Sequence, residues 1–114
     1  MPYLKIQTNQ SIDQAAGKAL LTKASKLIAS ELGKPESYVM IGLEAEVPMW
    51  FAGDDTPLAY LELKSIGLPE GKTARLSAAL CDLLADSLDI DKGRVYIEFA
   101  NAQGSMWGWN GGTF

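Results

Sequence analysis

Apolar residues recur along this chain with two spacings, every second residue in some stretches and every third or fourth in others, and the succession occurs twice. Tyr3-Leu4-Lys5-Ile6-Gln7-Thr8 alternates as a half-buried strand does. Leu20, Ala24, Leu27, Ile28 and Leu32 then fall on one stripe of an amphipathic helix. Val39, Ile41 and Leu43 alternate again. A shift of 57 lays Pro2–Thr8 on Ala59–Ser65, Tyr on Tyr and aliphatic on aliphatic. A shift of 56 lays the helix stripe on Leu76, Leu80, Leu83, Leu84 and Leu88, and the second strand on Val95, Ile97 and Phe99.

Each half therefore predicts strand, helix, strand. A crossover of this kind makes its two strands parallel and its connection right-handed. The expected architecture is α+β: two β-α-β units, about residues 2–45 and 58–101, forming one four-stranded mixed sheet, with a tail over 102–114. The 114 residues suffice for a single domain with one core. Each predicted helix has one apolar stripe, so both are expected on the same sheet face. The opposite face, presenting Met40, Gly42, Glu44, Tyr96, Glu98 and Ala100, is too mixed for a core and too apolar to be left bare, which points to self-association or to a solvated face with scattered apolar residues.

A net charge of −4 without a basic run gives no electrostatic footprint for nucleic acid. No long apolar stretch predicts a membrane span, and the start does not read as a secretory leader, so the expected location is the cytoplasm. The single Cys81 cannot close an internal disulfide, and its apolar neighbours make it an expected core residue. Asn9-Gln10-Ser11 matches a glycosylation triplet that has no use in that compartment.

Ile66-Gly67-Leu68-Pro69-Glu70-Gly71-Lys72-Thr73 has the flavour of a phosphate-binding loop, but Ile66 stands where the first Gly is needed. The segment predicts a turn before a helix that starts near Gly71. Asp54-Asp55 lacks the further oxygen ligands of a cation site and predicts a turn. No metal or cofactor is implied. The end, Trp107-Gly108-Trp109-Asn110-Gly111-Gly112-Thr113-Phe114, either docks as a tail or lines a pocket with its aromatic side chains.

Chemistry enters at the other end. The chain has no histidine, and its second residue is Pro2. Removal of Met1 would expose a secondary amine, and α-amino groups titrate at about 7.7–8.0, lower when desolvated or beside a cation. Such an amine can serve as a general base where no imidazole exists.

Met1-Pro2 entering a strand, Gly33-Lys34-Pro35 with Tyr38, Leu63-Lys64-Ser65-Ile66-Gly67, Leu80-Cys81-Asp82-Leu83-Leu84, Arg94-Val95-Tyr96-Ile97 and Gly108-Trp109-Asn110 occur in one order from Pro2 to Phe114. In that order and spacing the chain resembles the macrophage migration inhibitory factor family of N-terminal-proline tautomerases. The resemblance implies a homotrimer of duplicated β-α-β subunits with three sites at subunit interfaces. It further implies an isomerase that interconverts keto and enol forms of phenylpyruvate-type aryl α-keto acids. Pro2 would be the catalytic base, Lys34 would bind the substrate carboxylate or carbonyl oxygen, the backbone N–H of Ile66 would also hold the carboxylate, and Tyr96 would arrive from the adjacent subunit. The same resemblance admits a cytokine-like protein that binds a protein receptor, with an incidental tautomerase site, and a route of leaderless secretion.

The chain departs from the mammalian pattern at three places. Glu98 stands where Asn is found, placing a carboxylate at the aryl end of the pocket. Leu58 and Leu61 replace a Cys-x-x-Cys pair, which removes thiol redox chemistry of that kind. Trp107 replaces a smaller aliphatic residue near the pocket rim, where it would narrow the opening.

Overall fold

The computed structural model describes residues 1–114 and contains the two expected units. The first runs β1 (Tyr3–Thr8), α1 (Gln14–Leu32), β2 (Met40–Glu44); the second runs β3 (Ala59–Ile66), α2 (Thr73–Leu88), β4 (Val95–Ala102). The strands form one sheet in the order β2-β1-β3-β4. β1 is parallel to β2, β3 is parallel to β4, and the two units meet through an antiparallel β1–β3 pair. The two crossovers joined in this way put both helices over one face, where their stripes close the core against the sheet.

The core shows the alternation directly. Leu4 and Ile6 of β1 and Leu61 and Leu63 of β3 are fully buried, and they meet Leu20, Ala24 and Ile28 of α1 and Leu76, Leu80 and Leu84 of α2. The repeat extends to polar members: Thr8 and Ser65, superposed by the same shift, are the buried polar residues of the strands. Thr8 Oγ1 donates to the Leu58 carbonyl at 2.7 Å and Ser65 Oγ to the Ile66 carbonyl at 3.3 Å, so neither hydroxyl loses its water without replacement.

The two helices differ at their starts for a local reason. Asp13 caps α1, its Oδ1 accepting from the Ala16 N–H at 2.8 Å. Pro69 occupies the matching position before α2 and has no side-chain acceptor, and the first turn, Glu70–Lys72, tightens into a 3-10 turn instead. The α-helix thus begins at Thr73, two residues later than expected from Gly71. At their ends they agree: Gly33 at φ 62 and Asp89 at φ 55 both take the left-handed conformation that closes the helix.

Cys81 is corrected. It is half-buried, because Leu80 takes the core direction and the next helical residue is rotated about 100° from it. Its thiol is pushed up in pKa, mainly by burial and further by Asp82. The acidic pair falls in a turn as expected, closed by a Phe51–Asp54 bridge. Asn9 of the sequon-like triplet is occupied structurally, donating to the Asp55 carbonyl at 2.8 Å and accepting from the Leu58 N–H at 3.1 Å.

The sheet face away from the helices carries Met40 and Tyr96, each 66% exposed, as the alternation requires. It is also more charged than those residues suggest: Lys5 lies 3.6 Å from Glu44, and Lys64 lies 3.8 Å from Glu62. No helix is long and apolar enough to cross a membrane.

Candidate functional site around Pro2 and Lys34

Pro2 immediately precedes β1 and is fully buried, with its carbonyl accepting the Met40 N–H at 3.0 Å. Beside it opens a cavity of about 220 Å³ whose wall includes Tyr38, Met40, Trp107, Trp109 and Phe114. The chain start is therefore enclosed by aromatic surface rather than fraying into solvent.

The tail makes most of that enclosure. Its last residues form a small hairpin of β5 (Gly108–Trp109) and β6 (Gly112–Thr113). Trp109 and Phe114 stack at 5.4 Å, and Tyr38 meets both edge-on at 5.7 and 6.0 Å. Gly104 lets the chain end fold back, since a Cβ there would lie 2.8 Å from the Phe114 carbonyl oxygen. Of the two expectations for the tail, docking and pocket lining, both hold at once. Trp107 is half-buried in the same wall.

Lys34 reaches the site through the end of α1. Gly33 turns the chain in the left-handed conformation, and the Lys34 N–H returns to the Ala29 carbonyl at 3.0 Å, as in a Schellman ending. Pro35 follows and prevents continuation of the helix. The side chain, half-buried, then crosses to β3, where Nζ donates to the Ile66 carbonyl at 3.2 Å. Lys34 is thus held in the fold and does not wave in solvent as a helix-end cation. Its charge is felt at the chain start: the Met1 amine is lowered from its ordinary value, first by burial and then by Lys34. With Met1 in place the Pro2 nitrogen is a tertiary amide, so the basic group at this position is the Met1 amine.

Pro2, Lys34, Ile66 and Trp107 come together within one chain, but Tyr96 and Glu98 do not join them. Tyr96 pairs with Tyr60, which pairs with Gln7, five residues along β1 from Pro2 and two strands across the sheet. At about 3.3 Å per residue and about 4.8 Å per strand, the separation is ~19 Å. Tyr96 instead borders a second cavity, about 420 Å³, with Trp50, Phe51, Leu58 and Tyr60. Its ring lies 4.7 Å from that of Phe51. Glu98 is two residues on, on the same face, opposite Glu62. The Tyr60 hydroxyl, which donates to Glu62 at 3.4 Å, is raised in pKa by burial, then by Glu98 and Glu62.

Sequence reasoning gave no site role to Phe51 or Arg94, and placed Met40 only on the open sheet face. Phe51 and Arg94 are joined by contacts 43 residues apart in sequence, and no spacing rule reveals them. Met40 could have been found, since a parallel pairing of β1 with β2 puts it beside Tyr3.

A duplicated β-α-β chain with an enclosed N-terminal proline and a lysine fixed beside it defines a class, and comparison with known proteins places it. The sequence profile of the Macrophage migration inhibitory factor (MIF) family matches residues 1–114. The chain is 44% identical to a macrophage migration inhibitory factor homolog of Brugia malayi, over 100% of this chain and 99% of that protein. It is 43% identical to the corresponding homolog of Wuchereria bancrofti, with the same coverage. The solved structure of a homologue from Prochlorococcus marinus superposes with a TM-score of 0.93 at 40% identity, covering 98% of each chain. That of the factor from Trichinella spiralis gives 0.90 at 35% identity, covering 98% of this chain and 99% of its own. The chain belongs to the macrophage migration inhibitory factor family, within the tautomerase superfamily, whose general activity class is isomerase.

Proposed function

We propose that the protein is a keto–enol tautomerase of phenylpyruvate-type aryl α-keto acids, acting after removal of Met1. The observation that carries this reading is the placement of Lys34, held 3.2 Å from the Ile66 carbonyl and close enough to the chain start to lower its amine. Once Met1 is gone the same burial and the same cation act on the Pro2 secondary amine, favouring its neutral, basic form near pH 7.

In the keto-to-enol direction Pro2 removes a proton from the carbon next to the keto group, and the electron pair of the broken C–H bond moves into the enolate. Lys34 stabilises the negative oxygen as it forms. The proton then passes from Pro2 to that oxygen, and the reverse sequence gives the keto acid. The backbone N–H of Ile66 is a second donor for the substrate carboxylate. Trp107 and the aromatic tail line the cavity around it.

The ring of the substrate needs a further wall, and in this reading the neighbouring subunit of a homotrimer supplies it with Tyr96 and Glu98. The ~19 Å separation within one chain supports a shared site, because no single subunit can present both halves to one small molecule. Enol-to-keto conversion of phenylpyruvate by N-terminally processed protein tests the proposal. Pro2→Gly should lower kcat/KM by about 10²–10⁴-fold, the usual worth of general acid–base transfer, while the fold persists. An equally active Pro2→Gly protein would overturn it.

A further inference from the structure

Arg94 stands one residue before β4 and two before Tyr96, and both terminal nitrogens of its guanidinium are hydrogen-bonded, while the buried Nε has no partner. Nη1 donates to the Phe51 carbonyl at 2.8 Å, and Nη2 donates to the carbonyls of Thr56 at 2.7 Å and Asp54 at 3.3 Å. Nη2 also lies 2.8 Å from the Asp54 carboxylate, and the guanidinium carbon stands 5.1 Å from the centre of the Phe51 ring. The side chain is only 13% exposed, while its Asp54 partner is 56% exposed.

This is more than a surface ion pair. One planar cation gathers three backbone carbonyls of the 51–56 turn and lies against its aromatic residue, a fork that a lysine ammonium cannot reproduce. The turn would otherwise be tied down only by the Phe51–Asp54 bridge and the short bonds around Asn9 and Thr56. What it holds in place is the Phe51 ring against Tyr96, the aromatic wall of the 420 Å³ cavity.

We infer that Arg94 is a positioning residue for the aryl end of the substrate: by clamping the 51–56 turn to the start of β4 it fixes the Phe51–Tyr96 pair against which the ring packs. The inference rests on the proposed role of Tyr96 in the shared site. Arg94 touches neither the keto group nor Pro2, so its removal should act on binding of the ring and leave the proton transfer alone.

The test compares Arg94→Lys with Tyr96→Ala in processed protein, using phenylpyruvate and a small aliphatic enolisable α-keto acid without a ring. Arg94→Lys is expected to raise KM for phenylpyruvate about two- to tenfold, the scale of one aromatic pair, with kcat and the KM of the ringless acid unchanged within about twofold. Nuclear Overhauser contacts between the Phe51 and Tyr96 rings should weaken in the same variant, which a purely global loss of stability would not produce selectively. Asp54→Ala, at an exposed side chain, loosens the same clamp without emptying a buried position and must raise KM in the same direction even if Arg94→Lys folds poorly. If both clamp variants keep the wild-type KM while Tyr96→Ala raises it, the shared aryl site stands and the role of Arg94 falls. If Tyr96→Ala is also silent, the aryl site itself is wrong and the inference falls with it.

Discussion

Lys34 Nζ donates to the carbonyl of Ile66 at 3.2 Å, joining the end of the first helix to the end of the third strand beside the chain start. Two residues assigned to substrate binding from sequence are therefore direct partners, and one positions the other. Removing the charge has a signed consequence. Lys34 lowers the amine at the chain start, so Lys34→Met should shift the apparent pKa of the activity profile upward, leaving less neutral base at pH 7. Loss of a charge-assisted bond to the substrate carboxylate should also raise KM about tenfold or more. A pH–rate profile of kcat/KM for both proteins checks this, and an unshifted midpoint would separate Lys34 from the base.

Glu98 lies on the Tyr96 face of β4, opposite Glu62. In the proposed shared site its carboxylate would face the far end of the substrate ring and disfavour an electron-rich or apolar ring. Glu98→Asn should alter the ratio of kcat/KM for phenylpyruvate to that for its 4-hydroxy analogue. Identical ratios would place Glu98 outside the pocket.

Assembly follows from the exposed sheet face. Met40 and Tyr96, each 66% exposed, and the apolar wall around Phe51 should be covered by neighbouring subunits, since apolar burial is worth about 25 cal/mol per Å². Light scattering at micromolar concentration should give three times the 12.3 kDa chain mass. A stable monomer would contradict every shared element of the site.

Cys81 should be slow to react. Burial and Asp82 push its thiol up, so at pH 8 less thiolate is present than on an ordinary cysteine. Iodoacetamide should alkylate it more slowly in native protein than in protein unfolded in guanidinium chloride. Equal rates would mean that the thiol is neither shielded nor shifted.

The repeat made the fold legible because each strand and helix carries its own period, and the matching extends to Thr8 and Ser65 and to the helix ends at Gly33 and Asp89. Pro2 could be singled out for its chemistry, and Lys34 through the family resemblance. Three features were hidden for one physical reason: they depend on contacts between segments far apart in sequence. The tail forms a hairpin because Gly104 admits Phe114 and because Tyr38 receives its aromatics. The distance of Tyr96 from Pro2 follows from strand order, which the periodicity of single strands does not contain, and only the family resemblance had implied that Tyr96 comes from another subunit. The clamp of Arg94 depends on carbonyls, which every residue possesses and no side-chain pattern marks. Cys81 shows the finer limit, where one helical step separates a core position from a half-buried one.

The central claim is that the Pro2 nitrogen is the base, and Met1 decides it chemically. While Met1 is attached that nitrogen is an amide without an available lone pair; after its removal it is a buried secondary amine beside Lys34. The decisive measurement is phenylpyruvate turnover by two preparations of verified N-terminus, one retaining Met1 and one starting at Pro2, across pH 5–9. The processed chain should be active, with kcat/KM rising through an apparent pKa below the usual ~7.7–8.0 of an α-amine, and the Met1-retaining chain should be folded and nearly inactive. Equal turnover by the two would contradict the account.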